Sequence, residues 1–114
     1  MPHFVIHCSE NILTLKSEEE ILRTVHDTAD TTGLFKKGDI KVRIQSFGSF
    51  TVGNTKSDFI HVFGNIMEGR TTEQKADLSK KIISKLKSLF PDVPVVSMNV
   101  SEFEKATYCN RDMI

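Results

Sequence analysis

The stretch MPHFVIHC, residues 1–8, opens the chain with alternating side chains that predict a β-strand over Pro2–Cys8. One face of this strand carries Phe4, Ile6 and Cys8, and the other carries His3, Val5 and His7. A proline is allowed at its start because the first strand position need not donate a hydrogen bond to the sheet.

The sequence predicts two helices after this strand. Ser17 followed by Glu20 forms a capping-box pattern at the start of the first helix, which we expect to end at Gly33. Thr71 with Gln74 forms the same pattern for the second helix, and Pro91 stops it. The apolar stripes are Ile21, Leu22, Val25 and Ala29 in the first helix, and Ala76, Ile82, Ile83, Leu86 and Phe90 in the second.

Three further strands are predicted, over residues 40–44, 58–67 and 94–103, with a loop over 46–57 and a polar tail over 104–114. The element order is therefore strand–helix–strand, loop, strand–helix–strand. We expect an α/β (α+β) fold in a single domain, residues 1–114, with a four-stranded mixed sheet and two helices on one face.

The second sheet face has no helix to cover it. We expect that Phe4, Ile6, Val62 and Val95 do not all point at the helices, so part of this apolar set lies on the uncovered face. Such a face is typical of subunit association, and a net charge of zero opposes association little. The sequence therefore predicts a homo-oligomer.

Composition and motifs argue against several classes of protein. Fifteen basic and fifteen acidic residues leave no basic excess for nucleic acid. We expect no membrane span, no signal peptide, and a cytoplasmic chain whose Cys8 and Cys109 are reduced. No phosphate loop or dinucleotide motif is present, and His3, His7 and His61 lack a matched set of metal ligands. We therefore expect neither a cofactor nor a metal.

Pro2 is the first candidate for catalysis. Removal of Met1 would expose a secondary amine, held in a ring at the start of a strand. Burial or nearby cations would lower the pKa of that amine from the ordinary value of about 7.7–8.0. A neutral amine near pH 7 is a competent general base.

Three cations are candidates for binding a substrate carboxylate. Lys41 and Arg43 share one face of a predicted strand, and Arg70 directly precedes the second helix. Together they are suited to a di- or tricarboxylate, and the backbone N–H groups at the helix start would assist Arg70. The spacing alone also fits solvent-facing side chains on the strand and a loop arginine.

The chain resembles the 5-carboxymethyl-2-hydroxymuconate isomerases of the tautomerase superfamily. The likeness is carried by residues 1–12 (MPHFVIHCSENI), by TGLF (32–35), GDIKVRI (38–44) and SEFE (101–104), and by Gly69 and Arg70 before the second helix. The resemblance implies a β-α-β-β-α-β subunit, a trimer with its sheets facing inward, and no cofactor. It also implies proton transfer between carbons of a hydroxymuconate-type dienol in homoprotocatechuate catabolism.

The resemblance also assigns roles to residues. It implies that Pro2 is the base and that Arg70 binds substrate, with Lys41 and Arg43 standing where the family has a pair of arginines. Lysine at position 41 supplies a point charge instead of a bidentate fork. The resemblance therefore does not fix the substrate or the way its carboxylates are bound.

Two alternatives remain at this point. One is a tautomerase of another small enol acid, such as a phenylpyruvate-like compound. The other is a non-enzymatic ferredoxin-like ligand-binding domain, because that fold shares the same order of elements. A free amino-terminal proline distinguishes the two classes, since only the tautomerase requires it.

Overall fold

Alternation along four strands gives the sheet one apolar face, and the helices pack on that face. The computed structural model describes residues 1–114. Its elements are β1 (His3–Ser9), α1 (Ile12–Leu15), α2 (Glu18–Thr31), β2 (Lys41–Phe47), β3 (Phe59–Met67), α3 (Thr72–Leu89) and β4 (Val95–Phe103). Short 3-10 turns lie at Lys37–Asp39, Lys105–Thr107 and Arg111–Met113.

The strands form one mixed sheet in the order β2-β1-β3-β4. β1 runs parallel to β2 and antiparallel to β3, and β3 runs parallel to β4. Each half of the chain is thus a β-α-β unit with adjacent parallel strands, and the two units meet at β1 and β3. The predicted fold class is confirmed.

The predicted capping box is complete at the start of α3 and half formed at the start of α2. The Ser17 hydroxyl accepts a hydrogen bond from the Glu20 N–H at the start of α2. At the start of α3 the Thr71 hydroxyl and the Gln74 side chain each accept a hydrogen bond from the other residue's N–H, so the capping box is complete. Gly33 has a φ of 73°, a left-handed conformation that glycine adopts without strain, directly after α2.

The core shows which of the four apolar side chains in question face the helices. Phe4, Ile6 and Val62 have no exposed surface, and all three lie on the helix-covered face. They pack in one cluster with residues of α2 and α3, among them Ile21, Val25, Leu78 and Ile82. These three side chains are therefore covered within the chain and need no further cover. Of the four residues in question, only Val95 lies on the other face, opposite Phe59 in the register of β3 and β4.

The uncovered face mixes polar and aromatic side chains. Central β1 places His3, Val5 and His7 there, and β3 adds the half-buried His61 and the exposed Phe63. Phe63 is one of only four large exposed hydrophobic side chains. This face is therefore less apolar than the sequence suggested.

The four-residue helix α1 is an element that the sequence did not predict. Asn11, the residue before the helix, makes no side-chain capping hydrogen bond, whereas Ile12 within the helix is fully buried. The Asp58 carboxylate accepts hydrogen bonds from Ser9 Oγ and Asn11 Nδ2, both at 2.8 Å, which ties the turn before α1 to the start of β3. None of the three helices has the length and apolarity needed to cross a lipid bilayer.

Candidate active site

Pro2 lies immediately before β1, at the end of the sheet where β3 and β4 finish. Its side chain is buried, and its carbonyl oxygen accepts a hydrogen bond from the Lys41 N–H at 3.1 Å. The parallel pairing of β1 and β2 thus begins at Pro2, and it brings the start of β2 beside the start of the chain.

The amino group at this end of the chain has a perturbed pKa. It belongs to the half-buried Met1. Burial is the main reason that the pKa of this amine is lowered, and the charges of Lys41 and Arg70 lower it further. The Asp39 carboxylate acts in the opposite direction. Removal of Met1 would transfer the amino group to the Pro2 nitrogen, one residue farther toward the buried strand.

Arg70 reaches this region from a turn between β3 and α3. Gly69 has a φ of 119°, a conformation that a side chain would strain, and Thr71 begins the helix cap. The half-buried Arg70 donates a hydrogen bond from Nη2 to the Leu34 carbonyl oxygen. Its guanidinium carbon lies 5.3 Å from the centre of the Phe35 ring. The segment after α2 therefore holds this cation in place.

Lys41 and Arg43 both lie on the uncovered face, as the alternation of β2 predicts, but they have different partners. Lys41 donates a hydrogen bond from Nζ to the Asp39 carbonyl oxygen at 2.7 Å. Arg43 Nη1 lies 3.1 Å from His3 Nδ1. Lys41 is among the charges that act on the amino group, whereas Arg43 acts on His3.

His3 also lies at this site, although no sequence pattern pointed to a catalytic role for it. Burial lowers the pKa of its imidazole, and the charges of Arg43, Lys41 and the amino terminus lower it further. The neutral ring accepts the Arg43 hydrogen bond at Nδ1, since a guanidinium only donates. On its other side the ring packs edge-on against Phe103, with 6.0 Å between ring centres.

Three further residues adjoin the site although the sequence did not single them out as candidates: Leu34, Phe35 and Asp39. Asp39 and Phe35 stand within the GDIKVRI and TGLF stretches, so the sequence pointed to their segment but not to their contacts. Those contacts form because the link between α2 and β2 passes over the start of β1, which the local sequence does not reveal.

The remaining histidines and cysteines have other surroundings. His61 lies 2.7 Å from Ser97 Oγ through Nδ1 and 2.7 Å from Asn99 Oδ1 through Nε2, and His7 packs between Phe47 and Phe63. No group of three or more His, Cys, Asp or Glu side chains is arranged to hold a metal ion. Burial, with a smaller effect of Glu18, raises the pKa of the Cys8 thiol to about 11, which disfavours the nucleophilic thiolate.

The largest concavity of the single chain lies elsewhere. It measures about 780 Å³ between α2 and β2, and it is lined by Glu19, Leu22, Arg23, His26, Asp27, Ile40 and Val42. None of the cavities found is lined by Pro2, Lys41, Arg43 or Arg70. The amine and the cations therefore lie at an open rim of the sheet.

Comparison with known proteins points to one family. Residues 2–114 match the family described as 5-carboxymethyl-2-hydroxymuconate isomerase. The chain is 25% identical over 92 residues to the 5-carboxymethyl-2-hydroxymuconate Delta-isomerase of Escherichia coli, covering 79% of this chain and 73% of that protein.

Solved structures share the fold. The crystal structure of a 5-carboxymethyl-2-hydroxymuconate isomerase from Deinococcus radiodurans R1 superposes with a TM-score of 0.84 at 19% identity, covering 96% of this chain and 88% of that one. A structure described as the Q0 fused 4-OT wild type symmetric trimer gives a TM-score of 0.80 at 14% identity, over 96% and 92% of the two chains.

Proposed function

This chain belongs to the 5-carboxymethyl-2-hydroxymuconate isomerase family and is an isomerase, and from that premise we propose that Pro2, freed of Met1, is its general base. The proposed substrate is an unsaturated 2-hydroxy acid like 5-carboxymethyl-2-hydroxymuconate, in homoprotocatechuate catabolism. Family membership sets aside the non-enzymatic alternative. The observation that carries the proposal is the place of Pro2: it is buried directly before β1 and hydrogen-bonded to the backbone of Lys41. The amine of the preceding Met1 has a pKa that burial, Lys41 and Arg70 lower, and we expect the same surroundings to act on the Pro2 amine.

The proposed reaction is a proton transfer between two positions of one conjugated molecule. The neutral Pro2 nitrogen removes the proton from the 2-hydroxy group of the dienol, and the electron pair of that O–H bond becomes the 2-oxo group. The charge moves through the conjugated carbons, and protonated Pro2 returns the proton to a distant carbon. One base serves both positions only if the substrate is held in one orientation.

The cations supply that orientation. Arg70 is suited to bind a substrate carboxylate and to stabilise the negative charge that develops on oxygen. Lys41 is the better supported partner for a second carboxylate, because its charge, unlike that of Arg43, is among those that act on the amine at the start of the chain. Neither a metal nor a cofactor has a part in this scheme.

We further propose that the assembly is a homotrimer. The uncovered sheet face and the open rim at Pro2 support this, since a neighbouring copy would cover the face and close the site. A related structure at 14% identity is described as a symmetric trimer.

Steady-state kinetics of alanine variants test the base and the cations separately. Pro2→Ala leaves a primary amine with more freedom, so we expect a fall mainly in kcat. Arg70→Ala removes a hydrogen bond to a charged group, and we expect kcat/KM to fall roughly ten- to hundredfold. Arg23→Ala is the matched control, because Arg23 is exposed and pairs only with Glu19 on α2.

Both 5-carboxymethyl-2-hydroxymuconate and a phenylpyruvate enol should be assayed. We expect the variants of Arg70 and Lys41 to lose more activity on the first, which carries more carboxylates. Wild-type kinetics in Arg70→Ala, Lys41→Ala and Arg43→Ala alike would rule out carboxylate binding by these cations.

A further inference from the structure

Two contacts fix the orientation of the Arg70 guanidinium, and both come from the segment that follows α2. Nη2 donates a hydrogen bond to the Leu34 carbonyl oxygen. The guanidinium also lies over the ring of Phe35, 5.3 Å from its centre, within the range of a cation–π interaction.

Phe35 is itself held by the strand that carries the amine. Its ring packs edge-on against Phe4, with 6.0 Å between ring centres and 73° between ring planes. Phe4 is fully buried and lies two residues after Pro2. A continuous line of contacts therefore runs from β1 through Phe35 to Arg70.

The chemistry of a guanidinium makes this arrangement useful for binding. Its five N–H groups lie in one plane, and the Leu34 carbonyl uses one of them. The Phe35 ring contacts the guanidinium without using an N–H group, and the donors that Leu34 does not use remain for an anion. An arginine side chain has many rotamers, so an arginine already fixed in place loses less conformational entropy on binding a carboxylate.

We propose that Phe35 is a positioning residue that fixes the Arg70 guanidinium for the carboxylate of the substrate. It acts through Arg70 and has no part in proton transfer. This inference rests on the proposed function, in which Arg70 binds that carboxylate.

The test compares variants of Phe35 in two backgrounds. Phe35→Leu keeps an apolar side chain but removes the ring face, and we expect kcat/KM to fall about three- to thirtyfold, mainly through KM. Phe35→Tyr keeps the ring and should restore kinetics close to wild type. In an Arg70→Ala background, Phe35→Leu should cost nothing further, because the residue it positions is gone.

Phe50→Leu is the matched control. Phe50 also lies beneath a cation, with Lys56 Nζ 5.0 Å from its ring centre, but it belongs to the loop between β2 and β3 at the other end of the sheet. We expect Phe50→Leu to leave KM unchanged. Urea unfolding of each variant separates a general loss of stability from a loss of orientation.

The outcomes separate this inference from the proposed function. If Arg70→Ala impairs the enzyme but Phe35→Leu does not, the positioning role is wrong and the carboxylate site stands. If Phe35→Leu costs as much in the Arg70→Ala background as in the wild type, its effect is structural and the inference is again wrong. If Arg70→Ala itself has no effect, Arg70 does not bind the carboxylate and the positioning role of Phe35 falls with it, whereas the role of Pro2 is decided by its own variant.

Discussion

At the scale of single residues, the surroundings of the amino terminus decide how the chemistry depends on pH. Burial lowers the pKa of the Met1 amine most, Lys41 and Arg70 lower it further, and Asp39 raises it; we expect the same groups to act on the Pro2 amine once Met1 is removed. Only the neutral amine is a base, so the rate should rise as pH increases through this pKa. The pH at which kcat/KM rises, the acid limb of the pH–rate profile, therefore reports the charges around Pro2.

Replacing single charges should move the limb in opposite directions. Asp39→Asn removes the carboxylate that favours the charged amine, so the acid limb of kcat/KM should move to lower pH. Lys41→Met removes a cation that disfavours the charged amine, so the limb should move to higher pH. Profiles over about pH 5–9 measure both shifts. Shifts in the same direction, or none, would contradict the assignment of the base to this position.

The sequence predicted these residues only in part. Alternation along β2 placed Lys41 and Arg43 correctly on one face. It did not reveal that Arg43 contacts His3, because that contact requires β1 and β2 to pair in parallel, with Val5 opposite Arg43 and His3 opposite Lys41. Strand neighbours are set by packing of the whole chain, which local patterns do not encode.

At the scale of elements, local signals predicted the long helices and missed the short one. Ser17 and Thr71 mark the starts of α2 and α3 because a cap satisfies N–H groups within its own first turn. The helix α1 depends instead on burial of Ile12 and on hydrogen bonds to the distant Asp58. Without strand order the sequence could not say which of the four apolar side chains face the helices; Phe4, Ile6 and Val62 do, and Val95 does not.

The Thr71 cap should matter for both stability and binding. Thr71→Ala removes the acceptor for the Gln74 N–H next to Arg70, and such a loss typically costs about 1 kcal/mol in the free energy of unfolding. We expect KM to rise as well, since the backbone that carries Arg70 is loosened. Urea unfolding and kinetics measure the two effects.

Ser17→Ala is the control for that prediction. It removes the equivalent cap of α2, which is remote from Arg70 in the chain, and should reduce stability by a similar amount. KM should stay at the wild-type value. An equal rise in KM in both variants would show that the Thr71 cap affects binding only through general stability.

At the scale of the whole molecule, the uncovered sheet face should determine assembly. Phe63 lies on central β3, is 36% exposed, and contacts the rings of His7 and His61. Phe63→Asp places a charge there that would be buried without a partner in an oligomer, which is strongly unfavourable. We expect the variant to dissociate into monomers.

Light scattering measures this directly. The wild type should have three times the 12.9 kDa mass of one chain, and Phe63→Asp should approach the mass of one chain. Glu73→Ala, an exposed change in the first turn of α3, serves as the control and should leave the mass unchanged. A wild type that is monomeric at micromolar concentration would contradict the proposed trimer.

The central claim is that the Pro2 nitrogen is a free amine in the active enzyme, and the intact mass of an active preparation tests it most directly. We expect a mass equal to residues 2–114, with Met1 removed from every active molecule. Full activity in a preparation whose mass includes Met1 would contradict it, because the Pro2 nitrogen would then be an amide and not a base.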